Sequence, residues 1–132
     1  MYATFTYRNC EGEFMIMYYD KLGRAIVHLK NKHLFDLSGR PVAFIHNNAV
    51  YNLRGKLLGY SKNGWIRDKQ NRAVLYTDNY SGFGPVPPVH CIAPIPAITS
   101  IPPIPPIPPI APIPPVASGS WSAISAEAYF NQ

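Results

Sequence analysis

Apolar residues return along this chain at two fixed periods. From Met17 to Tyr80 a sixteen-residue pattern of apolar, turn and charged positions occurs four times without insertion: MYYDKLGRAIVHLKNK (17–32), HLFDLSGRPVAFIHNN (33–48), AVYNLRGKLLGYSKNG (49–64) and WIRDKQNRAVLYTDNY (65–80). From Val89 to Val116 an aliphatic residue returns at every third position. A fixed period sets the architecture before any local reading is made.

Within the unit, two groups of positions predict turns. The fourth column reads Asp20, Asp36, Asn52, Asp68 and the seventh Gly23, Gly39, Gly55, Asn71. An Asp or Asn side chain bonds its own backbone two residues on, and Gly or Asn three residues later accepts positive φ. That spacing predicts a three-residue hairpin loop ending in a G1 bulge. The fifteenth column is Asn31, Asn47, Asn63, Asn79, with Asn63-Gly64 a strong hairpin signal. Two turns per unit leave segments of strand length, so an all-β meander of about eight short strands is expected.

The apolar columns assign faces. The second column is Tyr18, Leu34, Val50, Ile66; the tenth is Ile26, Val42, Leu58, Val74; the twelfth is His28, Phe44, Tyr60, Tyr76. Columns ten and twelve are two apart and are expected to share one strand face. On that reading His28, Phe44, Tyr60 and Tyr76 line an apolar barrel centre. The third column (Tyr19, Phe35, Tyr51, Arg67) is aromatic in three units and lies opposite column two. Both faces are thus apolar in part, and something must cover the second. Closing the four tandem hairpins into a shallow pseudo-four-fold barrel removes the two open edges. The alternative is a short capped solenoid, with the fourth unit as the cap.

These D-x-x-G-[RK] hairpin units resemble the bacterial four-fold β-flower proteins over residues 17–80. The resemblance implies a shallow symmetric barrel reminiscent of Tubby-like and scramblase-like folds, and with it lipid or membrane association. YYDKLGR at 18–24 also resembles YD/Rhs-type repeats, although Tyr precedes Asp only in the first unit.

The flanks divide into three. Residues 1–16 read as an N-terminal hairpin: a strand over 2–8, a turn over 9–12, and a second strand over 13–19 that runs into the first repeat. The four-repeat domain ends at Gly84. Residues 85–117 hold a run of prolines, fourteen of the chain's fifteen, and the aliphatic period Val89, Ile92, Ile95, Ile98, Ile101, Ile104, Ile107, Ile110, Ile113, Val116. Proline fixes φ and joins neither helix interior nor sheet, so this segment is expected to be polyproline II, with three residues per turn stacking the aliphatics on one edge. Three surfaces are available to that stripe: its own barrel, an identical tail, or a membrane or other protein. A stiff undocked spacer is the bland reading. In residues 118–132 Ser120 is a candidate N-cap for WSAISAEAYF, with Trp121, Ile124 and Ala128 on one face. This stretch is either a docking segment or a frayed terminus.

Charge refines the picture more than it changes it. The net charge is +5, and from Asn79 to Ala126 there is no Asp, Glu, Lys or Arg. A basic domain followed by a neutral apolar tail suits an anionic surface, and equally suits ordinary solubility. The eighth column (Arg24, Arg40, Lys56, Arg72) would form a square of cations on one rim of a four-fold ring, able to hold an anionic headgroup. Each of these also has an Asp or Asn four residues earlier with which to pair locally.

The two cysteines, Cys10 and Cys91, flank the repeats without CxxC or zinc spacing, and a bridge between them requires the chain ends to meet. His28, His33, His46 and His90 show no ligand spacing, Ser38 and Ser61 sit in no nucleophile elbow, and there is no phosphate loop. No catalytic residue, cofactor or metal is therefore expected. Single-stranded nucleic acid could stack on the strand aromatics, but their regular columns are what core packing produces. The expectation is a non-enzymatic binding or scaffold module. Its partner is a lipid or membrane surface, or alternatively a protein groove that takes the polyproline tail; self-association is open. No signal peptide or spanning segment is visible, which predicts a cytoplasmic protein, peripheral to the membrane where it binds lipid.

Overall fold

The computed structural model describes residues 7–8, 14–92 and 94–132. The strands are β1 (Tyr7–Arg8), β2 (Phe14–Tyr19), β3 (Ala25–Lys30), β4 (His33–Asp36), β5 (Pro41–His46), β6 (Ala49–Asn52), β7 (Leu57–Lys62), β8 (Trp65–Arg67) and β9 (Ala73–Tyr76), and one short helix follows, α1 (Ala126–Phe130). Each strand pairs antiparallel with the next, and β2 also pairs with β9 through Tyr19 and Tyr76. Strands β2 to β9 therefore close into an eight-stranded barrel, the ring rather than the solenoid. β1 adds to the start of β2, pairing Tyr7 with Met15. The rest of the expected first strand, the 9–12 turn and Cys10 lie outside the described residues; Cys91 is exposed.

The turns form as the side chains dictate. In every unit the column-four oxygen accepts the backbone N–H groups two and four residues on: Asp20 from Leu22 and Arg24, Asp36 from Ser38 and Arg40, Asn52 from Arg54 and Lys56, Asp68 from Gln70 and Arg72, all at 2.9–3.0 Å. The seventh residue takes positive φ each time, including Asn71 at 62°. At the other end Asn31-Lys32, Asn47-Asn48 and Asn63-Gly64 are two-residue loops with both φ values positive, the signature of type I′ turns. Nothing in its residue type marks Lys32 for that conformation; the hairpin imposes it.

A β-bulge recurs in each unit and reassigns the faces. Tyr18 pairs with Val27 and Tyr19 with Ala25, leaving Ile26 extra; the same shift leaves out Val42, Leu58 and Val74. Column ten is thus the bulged residue throughout. A bulge sets two consecutive residues against one partner and breaks strict alternation. Columns ten and eleven consequently pack together with column two, in one cluster that unites Tyr18, Leu34, Val50 and Ile66 from all four units. Column twelve turns the other way. His28, Phe44, Tyr60 and Tyr76 do not line the centre, and none joins the central cluster. Phe44 and Tyr76 pack with columns one and three in two separate outer patches, His28 stacks on Phe35 of column three, and the Tyr60 hydroxyl donates to the Pro112 carbonyl. The expected sharing of a face by columns ten and twelve is corrected by this bulge.

The centre is filled from the C-terminus. Tyr129 and Ala126 of α1 join the central cluster, and Tyr129 is fully buried. Its hydroxyl donates to the Arg67 carbonyl at 2.9 Å. Column eleven is Val27, Ala43, Gly59 and Leu75, and Gly59 makes the room: a Cβ there would overlap the Arg67 carbonyl oxygen and crowd the Tyr129 hydroxyl. The helix begins later than expected, with Ser125 rather than Ser120 as N-cap. Trp121 precedes it, bridges Ala73 in parallel, and joins the outer cluster of Trp65 and Tyr76.

The outer face is covered by the proline-rich segment, which carries no strand or helix among its described residues from Gly84 to Ala117. It starts beside the fourth unit, where Tyr76 donates to the Pro88 carbonyl at 2.9 Å. It then passes the turns in order. Cys91 N–H donates to Gly23 O and Ser100 N–H to Gly39 O, each at 2.9 Å, and Ser118 N–H to Asn71 O at 3.1 Å. The step is nine residues per sixteen-residue unit. At the third step the chain holds Pro109, which has no N–H; its carbonyl instead accepts from the Tyr51 hydroxyl at 2.8 Å. Pro106 lies against Gly55 in that quadrant. The segment is therefore a strap that makes one circuit of the barrel along its Asp-Gly rim. Gly39 serves both structures, since its φ is 89° and a Cβ would run into the Ile98 carbonyl.

Candidate functional site

The strap presents its faces in a three-residue phase. Pro87, His90, Pro96, Thr99, Pro102, Pro108, Ala111 and Ala117 are half-buried against the barrel. Strap carbonyls at 88, 109, 112 and 115, also three apart in phase, accept from Tyr76, Tyr51, Tyr60 and Asn71. The aliphatics fall in the third phase and face away: nine of the ten from Val89 to Val116 are at least 87 % exposed, and Ile98 is 68 % exposed. Of the surfaces open to the stripe, its own barrel is not the one. Proline rings and carbonyls face the barrel because its outer surface offers tyrosine hydroxyls, which need acceptors.

The Tyr76 and Tyr51 hydroxyls stay protonated. Burial, then Asp78 and Asp20, push Tyr76 up to about 12, and burial followed by the neighbouring Tyr60 raises Tyr51. The start of the strap is held further by His90, which stacks on Tyr19 at 3.9 Å and contacts the Asp78 carboxylate. Lys30 donates to Thr99 at 3.1 Å.

The column-eight cations sit one residue beyond the glycine or asparagine on which the strap rests. Arg24 pairs with Asp20 at 2.7 Å and Arg40 with Asp36 at 3.3 Å. Partial burial works against the charged form of Asp36, but bonds from the Ser38 hydroxyl and the Arg40 amide outweigh it and lower its pKa. The bond to Asp20 raises Arg24. The other two units differ. Lys56 faces Asn52, which has no charge, and the outer oxygen of Asp68 accepts the Ser122 hydroxyl at 2.6 Å rather than Arg72. Among the described residues the side chains of Lys56 and Arg72 have no ion pair, and both are exposed.

The fourfold pattern also breaks beneath the strap. A gap of about 570 Å³ opens between the outer face of β7–β8 and residues 111–117. Pro114 falls in the half-buried phase but, like Pro105, is exposed. Arg67 occupies the column that is aromatic elsewhere. It is buried to 4 % exposure and donates to the carbonyls of Asn71 at 2.8 Å, Ser118 at 3.1 Å and Phe83. Its guanidinium lies 5.4 Å from the Trp65 ring centroid, and burial lowers its pKa. Sequence reasoning gave Arg67 no role; its signal was a charged residue in an aromatic column.

Among the described residues no group of His, Cys, Asp and Glu could hold a metal ion, and no helix is long and apolar enough to cross a membrane. A family model described as 4-fold beta flower protein matches residues 16–130, taking in the barrel from the third residue of β2, the strap and the whole C-terminal helix. No curated protein and no solved structure matches the chain.

Proposed function

The chain belongs to the 4-fold beta flower protein family, and within it we propose that it acts as a non-enzymatic binding module that docks on an anionic membrane surface through the outward band of its strap. The band, not the barrel centre, carries the reading, since Tyr129 fills the centre. We take the strap to be polyproline II, because its burial, hydrogen bonding and exposure all repeat at three residues, the period of that helix. Exposed aliphatics in series have an unmet demand for burial, each worth roughly 1.5–3 kcal/mol when fully removed from water. The cations of column eight flank the same rim, and an aliphatic band beside cations is the composition of an interfacial anchor. Attachment is peripheral on this reading.

Flotation on liposomes containing about one-third phosphatidylserine tests it. The wild type is expected to float, and the variant Ile104→Ser, Ile107→Ser, Ile110→Ser to stay behind. A folded wild type that ignores these liposomes contradicts the proposal. The exposed prolines 103, 105, 106 and 109 beside the aliphatics favour a second reading in that event, a partner protein whose aromatic groove takes the strap.

A further inference from the structure

We propose that the gap beneath residues 111–117 is a binding site for a small organic anion, a carboxylate or phosphate carried on an apolar or aromatic body. Four observations lead there. The lining holds two cations, Arg67 and Lys62, and no carboxylate. Arg67 is buried, yet among the described residues it has no ion-pair partner. Its neighbour Asp68 is committed to its own turn and to Ser122. A guanidinium has five N–H donors, and the three carbonyls of Asn71, Ser118 and Phe83 take three bonds from it. Carbonyls lend only partial charge, so the buried cation is under-compensated, a costly state that an anion relieves.

The remaining lining suits the body of such a ligand. Trp65, Tyr60 and Phe83 supply aromatic surface, Ala111 and Pro112 supply apolar strap, and the amides of Asn47 and Asn63 stand at the edge. The volume is that of a small-molecule site. Trp65 is oriented by its indole N–H, which donates to the Ser81 carbonyl at 3.0 Å, and by Arg67 above its ring. At its near end the gap is bounded by Ala111, which packs on the Phe44, Ala49 and Tyr51 cluster.

The test follows the Trp65 indole N–H resonance of the full chain during titration with phenyl phosphate, benzoate, inorganic phosphate and phenol. Saturable shifts with phenyl phosphate or benzoate are expected, with phenol at least about tenfold weaker, as loss of a charge-assisted contact predicts. Lys62→Gln, on the exposed edge, should weaken the anions severalfold and leave phenol unchanged. Absence of saturable binding by any anion to folded protein overturns the proposal, as does equal affinity for phenol and phenyl phosphate. Equal affinity for inorganic and phenyl phosphate overturns the claim of an apolar body.

Discussion

His28 and Gly59 show how single positions depart from their columns for opposite reasons. His28 stands where the other units have Phe44, Tyr60 and Tyr76. It stacks on Phe35 at 5.7 Å, and neither ring nitrogen has a hydrogen-bond partner. Burial, and then Lys30, lower its pKa. The folded chain therefore resists protonation, while the unfolded chain takes up a proton near the ordinary value of about 6.5. Stability is full above that value and falls as the pH drops below it. His28→Phe should stabilise the protein by on the order of 1 kcal/mol at pH 7.5, by removing unsatisfied polar atoms, and by more at pH 5.5; urea denaturation at the two pH values measures both. A gain that does not grow on acidification would show that His28 is solvated in the folded state. Gly59 is the reverse case, a residue removed to admit another. Gly59→Ala should destabilise by about 1–3 kcal/mol through overpacking, and Tyr129→Phe by about 1 kcal/mol through the lost hydrogen bond. Combining them should not rescue the alanine, because the Arg67 carbonyl remains in its way. Full rescue would mean that the tyrosine hydroxyl alone excludes the methyl.

The hairpin was legible in the sequence at nearly every turn, because Asp-x-x-Gly and Asn-Gly act through local bonds that need no tertiary partner. The bulge was not. Ile26, Val42, Leu58 and Val74 are ordinary strand residues, and the extra residue is visible only once the neighbouring strand fixes the register. That one-residue slip sent column twelve to the outside and hid the role of its tyrosines. The strap was legible in its period but not in its direction, since a stripe of isoleucine is expected to face apolar surface. The hint was in the interruptions: Cys91, Ser100 and Ser118 fall nine and then eighteen residues apart where N–H donors meet the turn carbonyls, and proline, which holds the step between at Pro109, cannot supply one. Ser100→Pro should therefore loosen the second quadrant. Faster exchange of the Ala97 amide, which bonds Leu37 O, would report it at a cost of about 1 kcal/mol; unchanged exchange would mean that Thr99 and Lys30 hold the strap unaided.

At the level of the molecule, one chain supplies barrel, strap and plug. A ring of four small hairpins has little interior of its own. The C-terminal helix adds Ala126 and Tyr129 to the centre, and the strap covers aromatics that would otherwise face water. Removing residues 118–132 should cost at least the roughly 3–5 kcal/mol of a large core truncation, seen as a lower unfolding midpoint with increased dye binding. Full stability without them would make the plug an accessory. What the circuit leaves outside is the aliphatic band, and the functional reading depends on its orientation. Thiol reactivity along the strap measures that orientation directly. With Cys10 and Cys91 changed to serine, single cysteines at Ile104, Ile107 and Ile110 should react with a disulfide reagent as fast in the folded chain as in denaturant. Those at Pro102, Pro108 and Ala111 should be slowed on the order of tenfold, since access governs the rate. Uniform rates along the strap, or protection at the isoleucine positions, would contradict an outward band.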